Sequence, residues 1–332
     1  MTRPTEGKTM LPAEHALPQP VARPPREVLR DLERAAAARP WETRNWSAAL
    51  AELLRGAVAD DDIGAGASMA GASPLTVAVV TPYHSEDPAV LRRCHESVLA
   101  QTYPCRHIMV ADGLPRDEID GWNVEHLRLE RPHADYGDTP RAAGGERARA
   151  LGYDAIAYLD ADNVLRSHHV ESLVSRRLAT GAAVIFSGRT LHFPDGRMLP
   201  SVDPEDGRAH IDTSCLFLAG EARAMASAWV AYPRPLAMIG DRMVVQMLQA
   251  RKFAFACTGA LTVRYTVNFA HVYRAQSLPV PQDARPDFDI APVAAYCRSL
   301  SPEQRARLDA TLGFPAAAFL RDYVRFWGAA VD

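Results

Sequence analysis

From Thr76 onward, short apolar β-branched runs alternate with longer amphipathic stretches. Thr76–Thr81 is such a run and predicts a buried strand. Residues 88–101 carry helical spacing, with Pro88 suited to a first turn. A second strand is predicted over Arg106–Ala111, closing on Asp112-Gly113, and a short third over His126–Glu130. Arg141–Leu151 predicts a helix with its arginines on one side, and Ala155–Leu159 another buried strand. A helix over 168–179 and a strand over Ala183–Ser187 follow, then a turn at Pro194-Asp195-Gly196-Arg197. Strands alternating with helices predict an α/β fold, a mostly parallel sheet covered by helices on both faces.

The flanks differ. Residues 1–24 are polar and proline-rich and are expected to be disordered. Residues 25–59 read as a helical N-terminal extension, and 60–74, with Asp60-Asp61-Asp62 and small residues, as a linker. Gly64-Ala65-Gly66 precedes the first strand, so it is not a phosphate-binding glycine loop, which must follow one. The main domain is expected over 75–275. Residues 276–332 form a helical C-terminal extension, with Leu308, Leu312, Phe319, Leu320, Tyr323 and Phe326 as apolar positions.

Composition narrows the class without deciding it. The 332 residues are 48% hydrophobic and 23% charged, with a net charge of −3, as in an ordinary globular protein. Nothing in that balance points to nucleic acid. No apolar stretch approaches a membrane span, and Met1–Pro20 lacks a signal-peptide core, so a cytoplasmic protein is expected, with peripheral membrane contact left open. Five widely spaced cysteines without a C-x-x-C pair argue against zinc and disulfides and for reduced thiols. Only Lys8 and Lys252 are lysines, so the basic residues are nearly all arginines, which suit bidentate phosphate binding.

The chemistry concentrates at Asp160-Ala161-Asp162, directly after a predicted strand. In open α/β sheets ligands bind where strands run out. Two carboxylates one residue apart can share Mg²⁺ or Mn²⁺, which leave coordination positions for substrate phosphates. Taken alone, such a triplet also reads as a solvated acidic turn.

Three further segments give it context: Thr81-Pro82-Tyr83-His84-Ser85-Glu86, then Ser97-Val98-Leu99-Ala100-Gln101-Thr102-Tyr103-Pro104, then Val110-Ala111-Asp112-Gly113. With Tyr158-Leu159-Asp160-Ala161-Asp162-Asn163 they resemble, in order and spacing, a family 2 glycosyltransferase of the GT-A fold. The resemblance covers 76–190 well and 190–275 more weakly. It implies a nucleotide-binding half over 75–165 and an acceptor half over 166–275.

The resemblance also implies roles. Pro82 and Glu86 would border the nucleotide, Tyr83 would stack on its base, and Asp112 would accept a hydrogen bond from it. Arg141 would face the sugar nucleotide, although its distance from Asp160 is longer than is usual in the family. Asp160 would approach the ribose or the metal, with Ala161 beside it against the donor, and Asp162 would hold the metal; His271 is a candidate third ligand or diphosphate contact. Asp241 would be the base, although Gly240 stands where the family carries a glutamate. Asp212 is the alternative base, and with His210, Thr213 and Ser214 would line the sugar or acceptor pocket. Each has a plain counterpart: a turn at Asp112-Gly113, a core aromatic at Tyr83, a helix cap at Asp241, a structural His271.

The expected activity is transfer of a sugar, as in a hexosyltransferase, from a UDP-, GDP- or dTDP-sugar to a hydroxyl, with metal-assisted inversion. The acceptor would be a glycan, a lipid-linked molecule or a small molecule, serving polysaccharide or glycoconjugate synthesis. Alternatives are a non-catalytic sugar-nucleotide or glycan-binding protein on the same fold, and a retaining GT-A transferase. A nucleotidyltransferase would need a glycine-rich basic loop where Pro82-Tyr83-His84-Ser85 stands. The chain shows no internal repeat, and a homo-oligomer is compatible with it.

Overall fold

Every residue of β1 (Val77–Tyr83) is buried. A strand buried on both faces must be central and covered on each side. The computed structural model describes residues 75–199, 207 and 210–328. The expected disordered stretch, N-terminal helices and linker lie outside them.

The remaining strands are β2 (Arg106–Ala111), β3 (Glu125–Arg128), β4 (Ala155–Tyr158), β5 (Val164–Leu165), β6 (Val184–His192), β7 (Leu216–Ala219) and β8 (Phe255–Thr266). They form one eight-stranded sheet of order β3-β2-β1-β4-β7-β6-β8-β5. The first four run parallel, with Tyr83 opposite Ala111 and Val80 opposite Tyr158. β7 is antiparallel to both its neighbours, β8 is parallel to β6, and β5 is antiparallel to β8. The sheet is therefore mixed, with an antiparallel strand in its centre. Because β2, β1 and β4 are parallel neighbours, their C-terminal ends share one edge; Asp112 and His84 follow directly from those ends, and Asp160 follows one residue after the end of β4.

The helices are α1 (Pro88–Leu99), α2 (Asp138–Ala150), α3 (His169–Thr180), α4 (Gly240–Ala250), α5 (Ala270–Ala275), α6 (Ala291–Ser299), α7 (Pro302–Leu312) and α8 (Ala316–Phe326). Asp87 starts α1 by accepting from the Ala89 N–H at 2.8 Å, with Pro88 in the first turn. α2 starts three residues before the predicted Arg141, because Asp135 accepts from the Thr139 hydroxyl at 2.5 Å and organises the turn before it. Its arginines do not line one side as expected. Each takes a different carboxylate: Arg141 pairs with Asp160, Arg147 with Glu125 and Arg149 with Glu146.

β6 runs past the predicted Ser187 to His192 and then turns back. Gly196, at φ 86°, and Arg197 close that turn onto Phe193, and His192 bridges Met198. α7 begins with a capping box in which Ser301 and Gln304 satisfy each other's backbone N–H groups. One hydrophobic cluster runs from Val77 in β1 to Val324 in α8. None of the five cysteines is in a disulfide; Cys94, Cys215 and Cys297 are buried. Among the described residues, no helix is long and apolar enough to cross a membrane.

Candidate active site

The acidic triplet forms the turn between β4 and β5, closed by the Asn163 N–H on the Asp160 carbonyl at 3.0 Å. Ser214 braces it from below: its hydroxyl accepts from the Asp160 N–H (3.1 Å) and the Asn163 amide (2.9 Å). Asn163 in turn accepts from the Thr266 N–H at 2.8 Å. The two carboxylates are thus presented at the sheet edge, each 24% exposed. Ala161 between them points away, into a small apolar cluster.

Each carboxylate has an arginine. Arg141 donates to Asp160 Oδ1 at 2.7 Å, and its other terminal nitrogen donates to the Tyr136 carbonyl at 2.7 Å. Burial alone would weaken the Arg141 charge, but Asp160 and Asp138 more than offset it, and its pKa rises. Arg285 donates to Asp162 Oδ2 at 2.8 Å. For Asp162, burial outweighs Arg285, and Asp160 adds to burial, so its carboxyl is raised above the ordinary value.

At the neighbouring strand ends, Pro82 is buried in the β1–β2 pairing opposite Val110. Tyr83 is not a base-stacking platform: it is 2% exposed, its hydroxyl lies 2.7 Å from His126 Nε2, and it packs against Leu91, Met109 and Ala161. Glu86 accepts from the His84 N–H at 2.7 Å, which fixes the turn after β1. Asp112 is buried and bound to His133, accepting from its N–H at 3.1 Å and facing its Nδ1 at 2.6 Å. The Asp112 carbonyl meets His84 Nδ1 at 2.7 Å. His133 Nε2 is buried with no hydrogen-bond partner.

In the second half, Asp241 lies in the first turn of α4, 24% exposed. Ile239 is the N-cap and makes no side-chain cap, so Asp241 is not the capping residue. Its Oδ2 lies 2.8 Å from His210 Nε2, and its Oδ1 accepts from the Arg242 N–H at 2.7 Å. Burial would raise the carboxyl, but His210 and Arg242 outweigh it and hold it below the ordinary value. Asp212 is sealed inside: one oxygen takes Arg189 and the other the Ser214 N–H at 2.9 Å. Unlike the part-exposed Asp241, the Asp212 carboxylate is closed off from solvent and paired with Arg189, which makes it a structural group, and Thr213 and Ser214 beside it are buried. His271 faces Asp287 at 3.5 Å and is half-exposed. Among the described residues, no three His, Cys, Asp or Glu side chains gather into a metal group, so His271 does not complete one with Asp160 and Asp162. His169, at the start of α3, is fully buried with its Nδ1 2.7 Å from the Thr262 hydroxyl.

Residues 78–212 match the family model Glycosyl transferase family 2. Over this stretch the chain is similar to family 2 glycosyltransferases. Its mixed sheet and helices form an α/β fold. Among solved structures, TarS from S. aureus, residues 1–349 in complex with UDP, aligns over 76% of this chain and 72% of its own, at 12% identity and a TM-score of 0.46. The same fragment without ligand aligns over 75% and 74% at 14% identity and a TM-score of 0.46. In complex with UDP-GlcNAc it aligns over 76% and 73% at 10% identity and a TM-score of 0.43. No curated protein matches the chain.

The match runs from β1 to Asp212 and so includes the acidic triplet, but not Asp241, His271 or Arg285. The triplet suits a hard cation by donor type. Each carboxylate is part-exposed and uses one oxygen on arginine, leaving the other to a metal. The sequence reading missed the side chains that hold the site together: Arg285, His133, Ser214 as brace and His210 as partner of Asp241. Of these, His210 and Ser214 carried a signal, their place in the polar run 210–214.

Proposed function

We propose that the protein transfers a sugar from a nucleoside diphosphate sugar to an acceptor hydroxyl, with inversion at the anomeric carbon. One observation carries this reading beyond the family match: the Asp241 helix head abuts the arginine cluster of the acidic triplet. A Cβ on Gly240 would lie 2.8 Å from Asp138 Oδ1, and Asp138 is 3.7 Å from Arg141, the partner of Asp160. An ionised, part-exposed carboxylate therefore stands next to the donor side of the site.

The nucleoside would lie along the ends of β1 and β2, where His133, oriented by Asp112, offers the polar contact to the base. Arg141 would counter the diphosphate charge while keeping Asp160 in place. Mn²⁺ or Mg²⁺, held by the remaining oxygens of Asp160 and Asp162, would supply charge stabilisation to the leaving nucleoside diphosphate. The acceptor oxygen bonds to the anomeric carbon as the carbon–phosphate-oxygen bond breaks on the opposite face. Asp241 takes the acceptor's proton. Its depressed pKa keeps it ionised at neutral pH and makes it a modest base.

The 2.8 Å contact supports a second assignment of that proton, with His210 as the base and Asp241 orienting it. The pH–rate profile separates them. With Asp241 alone the rate stays flat from pH 8 down to about pH 5, above the carboxylate range; with an imidazole base the rate already falls as pH drops from neutrality. Asp241→Asn is expected to lower kcat by about 10²–10⁴-fold at unchanged donor affinity. Full activity in that variant would refute both assignments. Proton NMR of the product's anomeric centre tests inversion: a retained configuration supports the retaining alternative. If the wild-type protein neither transfers the sugar nor hydrolyses the donor, the binding-only alternative stands.

A further inference from the structure

Asp212, Thr213 and Ser214, the residues expected to line the acceptor pocket, are sealed in the interior. An open groove of about 530 Å³ lies elsewhere, between the loop before α2, the turn Arg234–Ile239 and helix α6. Its walls are Tyr136, Pro235, Met238, Ala295 and Tyr296, and Arg234 is the sole charged residue among those lining it. Its size falls in the range of small-molecule sites, which pair apolar walls with a few polar groups.

Two connections tie the groove to the reacting centre. Arg234–Ile239 runs directly into Gly240 and Asp241. On the facing side, the Tyr136 carbonyl binds Arg141, whose other nitrogen holds Asp160. Tyr136 itself is unusual. It and Ala134 have φ of 58° and 50°, left-handed values that residues with a Cβ avoid, and its ring is 69% exposed rather than packed. Such conformations persist where the surrounding structure imposes them, and they cluster at ligand sites. Arg234 is anchored at the groove by donating to the Ala134 carbonyl at 3.2 Å.

We propose that this groove seats the non-reacting end of the sugar acceptor: an apolar body bearing one anionic group, phosphate or carboxylate, paired with Arg234. The assignment to the acceptor rests on the transferase reading; the binding chemistry rests on the groove alone. An apolar body fits the walls, and a single anion fits a single guanidinium among apolar side chains.

The test uses the full chain and anilinonaphthalene sulfonate, an apolar probe with one anionic group, displaced by decyl phosphate, decanol or inorganic phosphate. The wild type is expected to bind the probe and to release it to decyl phosphate at roughly tenfold lower concentration than to decanol, with inorganic phosphate ineffective, a preference worth one charged pairing. Arg234→Ala should erase the preference for decyl phosphate over decanol. Ala295→Trp, at an exposed position in the groove, should weaken probe binding tenfold or more. Circular dichroism and an unchanged thermal midpoint verify that both variants fold. Probe binding that ignores both substitutions, or a wild type that binds no probe, overturns the proposal. So does an Ala295→Trp effect on oligomeric state in sedimentation without an effect on the probe, which would make the groove a contact between copies. Donor hydrolysis by the wild type is measured alongside. Its absence counts against the transferase reading and the acceptor role, while the groove chemistry stands or falls on the probes.

Discussion

Asp162 costs stability in the form that function requires. Burial, helped by Asp160, raises its carboxyl despite Arg285, so the folded chain holds that proton more tightly than the unfolded chain does. For an acid with a raised pKa, stability falls as pH climbs from the unfolded value through the folded one. Asp162→Asn removes the charge and keeps the shape. Arg285, half-exposed, then returns to water at little cost. The variant is expected to melt higher than wild type at pH 7, with the gap closing below the ordinary carboxylate range, and to lose about 100-fold or more in transfer rate. A lower melting point at pH 7 would contradict the sign of the shift. The pair Asp160 and Asp162 was legible in the sequence because both follow directly from an apolar run. Their surroundings were not: Arg285 lies 123 positions from Asp162 and Ser214 lies 54 from Asp160, and no local pattern reports such pairings. Tyr83 misled for a related reason. Its place after Pro82 suggested a ligand face, but strand β1 is buried on both sides, so its ring belongs to the core.

At the scale of elements, α2 carries adjacent glycines in its interior, which intrinsic propensity disfavours by about 1 kcal/mol each relative to alanine. Packing explains them. A Cβ on Gly144 would fall 2.4 Å from Val80 Cγ1 and 3.0 Å from Val110 Cγ2, and one on Gly145 2.8 Å from the Ala226 Cβ. The helix sits that close to β1 and β2, and its closeness brings Arg141 to Asp160. Gly144→Ala sets a propensity gain of about 1 kcal/mol against overpacking that costs about 1–3 kcal/mol. Overpacking should win, because Val80 is a stiff β-branched side chain on a fully buried strand and cannot give way. We expect a lower melting temperature and a weakened donor site, with Val80→Ala in the same chain restoring part of both. A Gly144→Ala variant as stable as wild type would show that the helix can shift outward. The parallel strands were readable because strands buried on both faces form continuous apolar runs; β2 was predicted at its observed limits. β8 was not, since its exposed, half-buried and buried positions follow no clean alternation. β7, a short apolar run, announces neither its antiparallel direction nor its central place.

At the scale of the whole molecule, the C-terminal helices share the core of the sheet. Val293, Cys297, Leu308, Leu312, Leu320 and Val324 join the cluster that contains β1 and β4. Arg242, next to Asp241, lies 5.2 Å over the Tyr323 ring of α8, and α6 forms one wall of the groove. The helical spacing of this tail was legible. The surface it docks on was not, and Phe326, read as an apolar position like Leu320, is 81% exposed. Leu320 is fully buried, so Leu320→Ala should cost about 2–5 kcal/mol through lost transfer energy and the cavity left behind. If the tail were an independent appendage, that loss would detach α6–α8 first, and melting would show an early partial step while the sheet stayed intact. A shared core predicts instead that the transition shifts down as one, with intrinsic fluorescence and far-ultraviolet circular dichroism moving together. Donor affinity below the melting point should then hold, because the residues proposed to face the donor follow the ends of the parallel strands. Acceptor affinity should fall, because its groove is walled by α6. Two separated transitions would break this coupling and return the tail to the role of an appendage.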